Sequence, residues 1–183
     1  VIDNLEKIFK DDKYVGIAYV YCNFRRQDEQ TVTELLASLL KQLVQSLPVF
    51  PECVKSLYNK HKDNRSRPPL EETSSTLGSI AKLYSRVFVL IDALDECRAS
   101  DGSRKRLLAE VFNLGVNIFA TSRFIPQITE LFEDSISLEI RATDEDVRRY
   151  LDNHMSQLPA SVRRSPELQE AVTSEIVRSV GGM

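Results

Sequence analysis

Three carboxylates follow directly on an apolar run in this chain, where Val87-Phe88-Val89-Leu90-Ile91 leads into Asp92-Ala93-Leu94-Asp95-Glu96. An unpaired carboxylate is too costly inside a sheet, so Asp92 is expected to emerge at the carboxyl end of the strand that precedes it. Open α/β sheets bind ligands at that edge. A carboxylate there can hold Mg²⁺ directly or through water, and the ion neutralises the β and γ phosphates of a nucleotide. Asp95 and Glu96 lie beyond the strand, where one of them can orient or deprotonate a water attacking the γ-phosphate. Such a base must come within ~3 Å of the water or reach it through another. The spacing does not choose between the two. The competing reading is structural, since acids near a helix start are favoured by its dipole.

A second group of the same kind closes the next apolar run. Val116 to Thr121 reads as a strand ending in Thr121-Ser122-Arg123. An arginine at the carboxyl end of a parallel neighbour can point across the same edge at phosphate oxygens, which suit its planar fixed charge. Equally, Arg123 can be a surface arginine paired with Asp92 or Asp95. Thr121 and Ser122 are of a type more often used for structural capping.

The elements that must position these groups follow from periodicity. Ile2, Leu5, Ile8 and Phe9 have the spacing of an amphipathic helix over 2–10, and residues 14–22 (YVGIAYVYC) read as a buried strand. Thr31 followed by Glu34 is a capping box opening a helix through Val32, Leu35, Leu36, Leu39, Leu40, Leu43 and Val44, which Pro48 stops. Shorter helices are expected over 52–60 and 70–84, separated by a polar loop from Lys62 to Pro69. Residues 86–91 read as a strand covered by helices on both faces, followed by a helix through Leu107, Leu108 and Val111. Strands are expected over 116–121 and 136–140 (ISLEI), with a short helix over 125–132 between them. Thr143 and Asp144 offer caps for a helix bearing Val147, Tyr150 and Leu151. Ser165-Pro166 opens a last helix through Leu168, Ala171, Val172, Ile176 and Val180. Alternating strands and helices imply a mostly parallel sheet, and the helical tail implies a second unit. The expected division is 1–141 and 142–183.

Composition narrows the classes further. The chain has 183 residues, is 42% hydrophobic and 28% charged, and carries a net charge of −3, which suits a folded domain and not a basic nucleic-acid binder. No apolar run approaches the ~18 residues of a membrane span, and no secretory signal opens the chain. Cys22, Cys53 and Cys97 match no zinc or disulfide framework and read as small core hydrophobes in a reducing, cytoplasmic setting. The basic stretch Lys60, His61, Lys62, Arg65, Arg67 reads as a solvated loop, and His61 and His154 lie far apart without a ligand cluster.

VFVLIDALDEC resembles the extended Walker B motif of the NACHT branch of the signal-transduction P-loop NTPases, and NIFATSR is similar to its sensor-one strand. YVYCNFRRQDEQTVTELLASLLKQL, LEIRATDEDVRRYL and the closing EIVRSVGGM resemble fungal members of the nephrocystin-3-like N-terminal type. The resemblance implies a P-loop NTPase-like parallel sheet flanked by helices, incomplete here, with the start of a helical C-terminal region. It makes Asp92 the magnesium-associated acid, holding the ion through water, and sets Asp95 and Glu96 in the water-activating region. Arg123 becomes the nucleotide-facing sensor arginine, and Phe24 and Arg25 match a family segment. It further implies a parent protein that exchanges ADP for ATP, hydrolyses slowly, forms homo-oligomers and activates an effector protein.

One motif of that family is missing. The glycines stand at 16, 78, 102, 115, 181 and 182, and none precedes a Lys-Ser or Lys-Thr pair, so no GxxxxGK[ST] phosphate loop is present. The chain starts at Val1 and ends Gly181-Gly182-Met183, which reads as a piece cut at both ends. In related folds the strand leading into the phosphate loop lies between those corresponding to 116–121 and 136–140. Four parallel strands around an unfilled centre are therefore expected, with weak or no ATP binding and no productive hydrolysis by this piece alone. The alternative reading is a non-catalytic interaction module that keeps the NTPase fold.

Overall fold

The computed structural model describes residues 1–180; Gly181, Gly182 and Met183, the end of the EIVRSVGGM segment, lie outside the described residues. The chain divides into two compact units, Val1–Glu133 and one beginning at Asp134.

The first unit is built on three parallel strands, β1 (Val15–Tyr21), β2 (Arg86–Asp92) and β3 (Asn117–Ala120), in the order β1-β2-β3. Register aligns Tyr21 with Asp92 and Ile91 with Ala120, so Tyr21, Asp92 and Thr121 stand side by side at the carboxyl edge. β2 is the central strand, and burial of its side chains under the helices accounts for its apolar sequence. Around the sheet run α1 (Ile2–Ile8), α2 (Val32–Gln45), α3 (Glu52–Lys62), α4 (Leu70–Ala81), α5 (Ser103–Asn113) and α6 (Pro126–Thr129).

Alternation along the strands gives the two faces different company. Gly16, Ala18 and Val20 of β1 share a face with Val87, Val89 and Ile91 of β2, and all six are buried. The core cluster joins these strand residues to Leu36, Leu39 and Leu43 of α2, Leu77 and Ile80 of α4, and Leu107 and Val111 of α5. The capping box at Thr31 and Glu34 is formed, and it sets the start of α2 so that its leucines meet the sheet. Gly16 is required by close approach: a Cβ there would sit 2.9 Å from Leu43 Cδ2 and 3.2 Å from the Tyr84 ring. The buried Tyr84 hydroxyl donates to the Leu43 carbonyl at 2.5 Å, fixing the end of α2. This placement also ends α4 at Ala81, short of the expected Tyr84. The Leu83 and Tyr84 N–H groups make tighter bonds to the Ile80 and Ala81 carbonyls, and Tyr84 turns inward while Leu83 stays exposed.

The opposite face carries Tyr19, Leu90 and Phe119 in register. Here α1 lies against the sheet, with Phe9 stacked on Phe88 at a centroid distance of 5.4 Å. Cover is thinner than the sequence pattern implies, since Tyr21 and Phe119 remain largely exposed.

Residues 136–140 form no strand, which corrects the four-strand expectation to three. Ile136, Leu138 and Ile140 are 103%, 80% and 84% exposed. The alternation that suggested a strand is real, but a strand exists only where another segment takes up its N–H and C=O groups. The place beside it was itself expected to be unfilled.

The second unit holds α7 (Asp144–His154), α8 (Ala160–Arg163) and α9 (Pro166–Val180). Thr143 caps α7 in a full capping box with Asp146. The turn of helix in α8 was not foreseen; Leu158-Pro159 sets it off, with Pro159 as its extended N-cap. The basic stretch is not the free loop expected. Lys60 to Lys62 form the last turn of α3, Lys60 and His61 bond to Glu72, and Arg67 bonds to Glu34.

Candidate functional site

Parallel strands of matched register bring the singled-out groups to one sheet edge. Asp92 ends β2 and is exposed. Thr121, just past β3, stands next to it and does two things with one hydroxyl. Its Oγ1 accepts from the Ala93 N–H at 2.9 Å and donates to Asp92 Oδ1 at 2.5 Å. Beyond the structural capping that its residue type suggests, Thr121 orients the acid. Asp92 Oδ2 has no protein partner among the described residues.

The chain then reverses sharply. Ala93 adopts φ 53° and ψ 48°, the left-handed region, followed by a 3-10 turn over Leu94–Glu96. Leu94 is fully buried and anchors the turn, while its N–H bonds to the Thr121 carbonyl at 2.8 Å. Beyond this one-residue reversal Asp92 and Asp95 take different partners, Thr121 and Arg123.

Asp95 points at Arg123. Its Oδ2 accepts from Arg123 Nε at 2.6 Å and its Oδ1 from the Arg123 backbone N–H at 3.2 Å. The Asp95 side chain is 5% exposed and that of Arg123 80%. Burial pushes the Asp95 carboxyl up, but the Arg123 guanidinium and backbone N–H outweigh it, so the group sits below the ordinary aspartate value. The same contact raises Arg123 further above its already high value. Of the alternatives open for Arg123, the pairing with Asp95 is the one formed.

Glu96 faces the segment that follows β1. Its Oε2 accepts from the Phe24 N–H at 3.1 Å, and its backbone carbonyl accepts from Gln27 Nε2 at 2.8 Å. Phe24 therefore meets the acidic turn through its backbone, while its exposed ring lies 5.5 Å from the Arg25 guanidinium carbon. Asn23 and Gln30 hold this segment in place, Asn23 by accepting from the Arg25 N–H and Gln30 by bonding to Asn23 and Tyr21.

Sequence reasoning passed over Arg104. On the first turn of α5, its Nη2 donates to the carbonyls of Asp95 at 2.7 Å and Cys97 at 2.9 Å, while its Nε is buried without a partner. It clamps the far side of the acidic turn. The run Ser103-Arg104-Lys105-Arg106 gives no hint which basic residue turns inward; only the fold distinguishes them.

On the thinly covered face, a cleft of about 220 Å³ is lined by Tyr19, Tyr21, Leu90 and Phe119, with Asp92 and Thr121 also on its wall. It is smaller than the ~300–1,000 Å³ of common ligand pockets.

The Nephrocystin 3, N-terminal family model matches residues 1–123, which takes in both strand ends and the entire acidic turn. No curated protein matches the chain significantly. Since the matched stretch is well over half of the chain, this protein belongs to the nephrocystin 3 N-terminal family.

Proposed function

We propose that the chain is the carboxyl-edge half of an ATP-binding signalling switch of the NACHT type, whose intact parent couples nucleotide exchange and slow hydrolysis to oligomerisation and effector activation. The observation that carries this reading is the convergence of Asp92, Thr121, Asp95, Glu96 and Arg123 at one edge of a parallel sheet. The donor set fits Mg²⁺, since Asp92 is exposed, one of its oxygens is oriented by Thr121, and the other is unpaired among the described residues. When bound, the ion supplies charge neutralisation for phosphate oxygens. Asp92 would hold it through water, and Thr121 would keep the carboxylate turned to the edge.

Of the two candidate bases, geometry favours Glu96. Both Asp95 oxygens are engaged by Arg123, whereas Glu96 has one oxygen bonded to Phe24 and the other without a protein partner among the described residues. In the nucleotide-bound parent, Arg123 would exchange Asp95 for phosphate, and Asp95 is the group that stores the arginine meanwhile. ATP, ADP and Mg²⁺ are thus ligands of the parent, and a phosphate loop must supply the backbone N–H cradle that this edge lacks.

The test joins a phosphate-loop strand ahead of Val1 and measures equilibrium binding of a fluorescent ATP analogue with Mg²⁺. Asp92→Asn should weaken binding on the order of tenfold or more, and phosphate release should require the added loop. Turnover by the present chain equal to that of the extended one would overturn the reading. A second reading, a non-catalytic interaction module, is favoured by the Asp95–Arg123 pair, which leaves the two charges satisfying each other. It requires that Arg123→Ala leave nucleotide affinity of the extended chain unchanged.

A further inference from the structure

Three side chains where α3 passes into α4 form an array that the sheet edge does not use. His61, in the last turn of α3, meets Ser66 Oγ through Nδ1 at 2.8 Å and Glu72 Oε2 through Nε2 at 3.0 Å. Glu72 lies in the first turn of α4, and its other oxygen accepts from Lys60 Nζ at 2.8 Å. The connecting loop achieves this by folding back on the helix it leaves. Arg65 takes a left-handed backbone with φ 48°, and the Ser66 N–H bonds to the His61 carbonyl at 3.2 Å. The His61 side chain is 14% exposed, whereas Ser66 stands in solvent.

We propose that Ser66, His61 and Glu72 are a nucleophile, its general base and the acid that orients the base, and that together they take the acyl group of small activated esters. A hydroxyl within hydrogen-bond reach of an imidazole that a third group orients is the arrangement acyl transfer to serine needs. The partners also fix the tautomer. An ionised Glu72 only accepts, so in the neutral ring Nε2 carries the proton and Nδ1 turns its lone pair to Ser66. Lys60 and then His61 hold the Glu72 carboxyl below its ordinary value, which keeps it charged and able to stabilise the imidazolium. A strained backbone at Arg65 is of the kind that persists where the surrounding structure enforces it, here beside the nucleophile.

The Ser66 oxygen bonds to the ester carbonyl carbon as its proton passes to His61 Nδ1. The carbon–oxygen bond to the leaving group breaks, and the departing alcohol takes that proton. Water then gives a proton to Nδ1 and attacks the acyl-serine, and Ser66 recovers the proton as the carboxylic acid departs. Arg65, exposed and with no side-chain partner among the described residues, supplies positive charge next to Ser66 in the chain for the oxyanion. The loop is open, which suits a small acyl group. None of the acids at the sheet edge takes part, so the inference holds whatever that edge binds.

A fluorophosphonate probe, which a reactive serine traps by displacing fluoride, tests the array when the treated chain is peptide-mapped. An adduct on Ser66 is expected, forming at least about a hundredfold faster than on Ser100, an exposed serine with no bonded histidine among the described residues. Ser66→Ala should remove this adduct, and His61→Gln should slow it to the Ser100 rate, with circular dichroism establishing that both variants are folded. Glu72→Gln keeps an acceptor for Nε2 but removes the charge. With p-nitrophenyl acetate it should lower kcat about tenfold or more and leave KM unchanged. No adduct on Ser66, labelling there at the Ser100 rate, or equal labelling in His61→Gln overturns the assignment. An unchanged kcat in Glu72→Gln overturns the part given to Glu72.

Discussion

Two segments of this chain carry the sequence signature of a strand and meet opposite fates. Arg86–Asp92 sits between two neighbours with its residues bonded on both sides and buries Val87, Val89, Leu90 and Ile91. Residues 136–140 alternate Ile, Leu and Ile with polar residues, yet have no ladder and leave all three apolar side chains in solvent. The difference is not in β-propensity, which both have. A strand is completed by the groups beside it, and only the first segment has them.

Hydrogen exchange should expose this contrast most directly. Amides of β2 should open only with global unfolding, while those of 136–140 should exchange near the rate of an unstructured chain. Protection over 136–140 comparable with β2 would break the comparison. Truncation tests it energetically. Ile91→Ala should cost about 2–5 kcal/mol in urea unfolding, and Leu138→Ala should stay within about 0.5 kcal/mol of the parent. Gly16→Ala probes the packed face from the opposite direction, by adding volume. With Leu43 and the Tyr84 ring already against it, a loss of about 1–3 kcal/mol is expected. A smaller effect sharpens the role of α2: Thr31→Ala removes the capping box and should cost about 1 kcal/mol.

The smallest expected effect is a pH dependence at the end of β2. The folded Asp95 carboxyl lies below its unfolded value because Arg123 stabilises the charged form. Its contribution to stability is then fully present above the unfolded value of about 3.9. It is lost as pH falls through the lower folded value. Asp95→Asn should flatten the stability profile below about pH 4 relative to the parent, as read from urea midpoints at a series of pH values. An unchanged slope would remove Asp95 from the account of acid sensitivity.

Local signals made much of this legible. The Thr31–Glu34 box, the leucine spacing of α2 and the apolar run of β2 each encode a structure that nearby residues enforce. The carboxyl edge was legible because each apolar run gives way to polar residues where its strand ends. What escaped depends on contacts distant in sequence. Nothing around Arg104 separates it from Lys105 and Arg106, and nothing within 136–140 reports that no described segment pairs with it. Thr121 shows the intermediate case: a hydroxyl at a strand end suggests capping, but its dual bond to Ala93 and Asp92 follows only from the β2–β3 register.

Ala93 carries a consequence for which substitutions the turn can survive. A left-handed backbone at a residue with a Cβ admits few side chains, so position 93 acts as a steric sieve on variation. Glycine passes it freely, and asparagine and aspartate pass at small cost. Valine, isoleucine and threonine are stopped, however well they would suit the strand just before. A saturation library at this one codon would therefore sort by branching at Cβ and not by hydrophobicity, the reverse of the ordering at Ile91 two positions earlier.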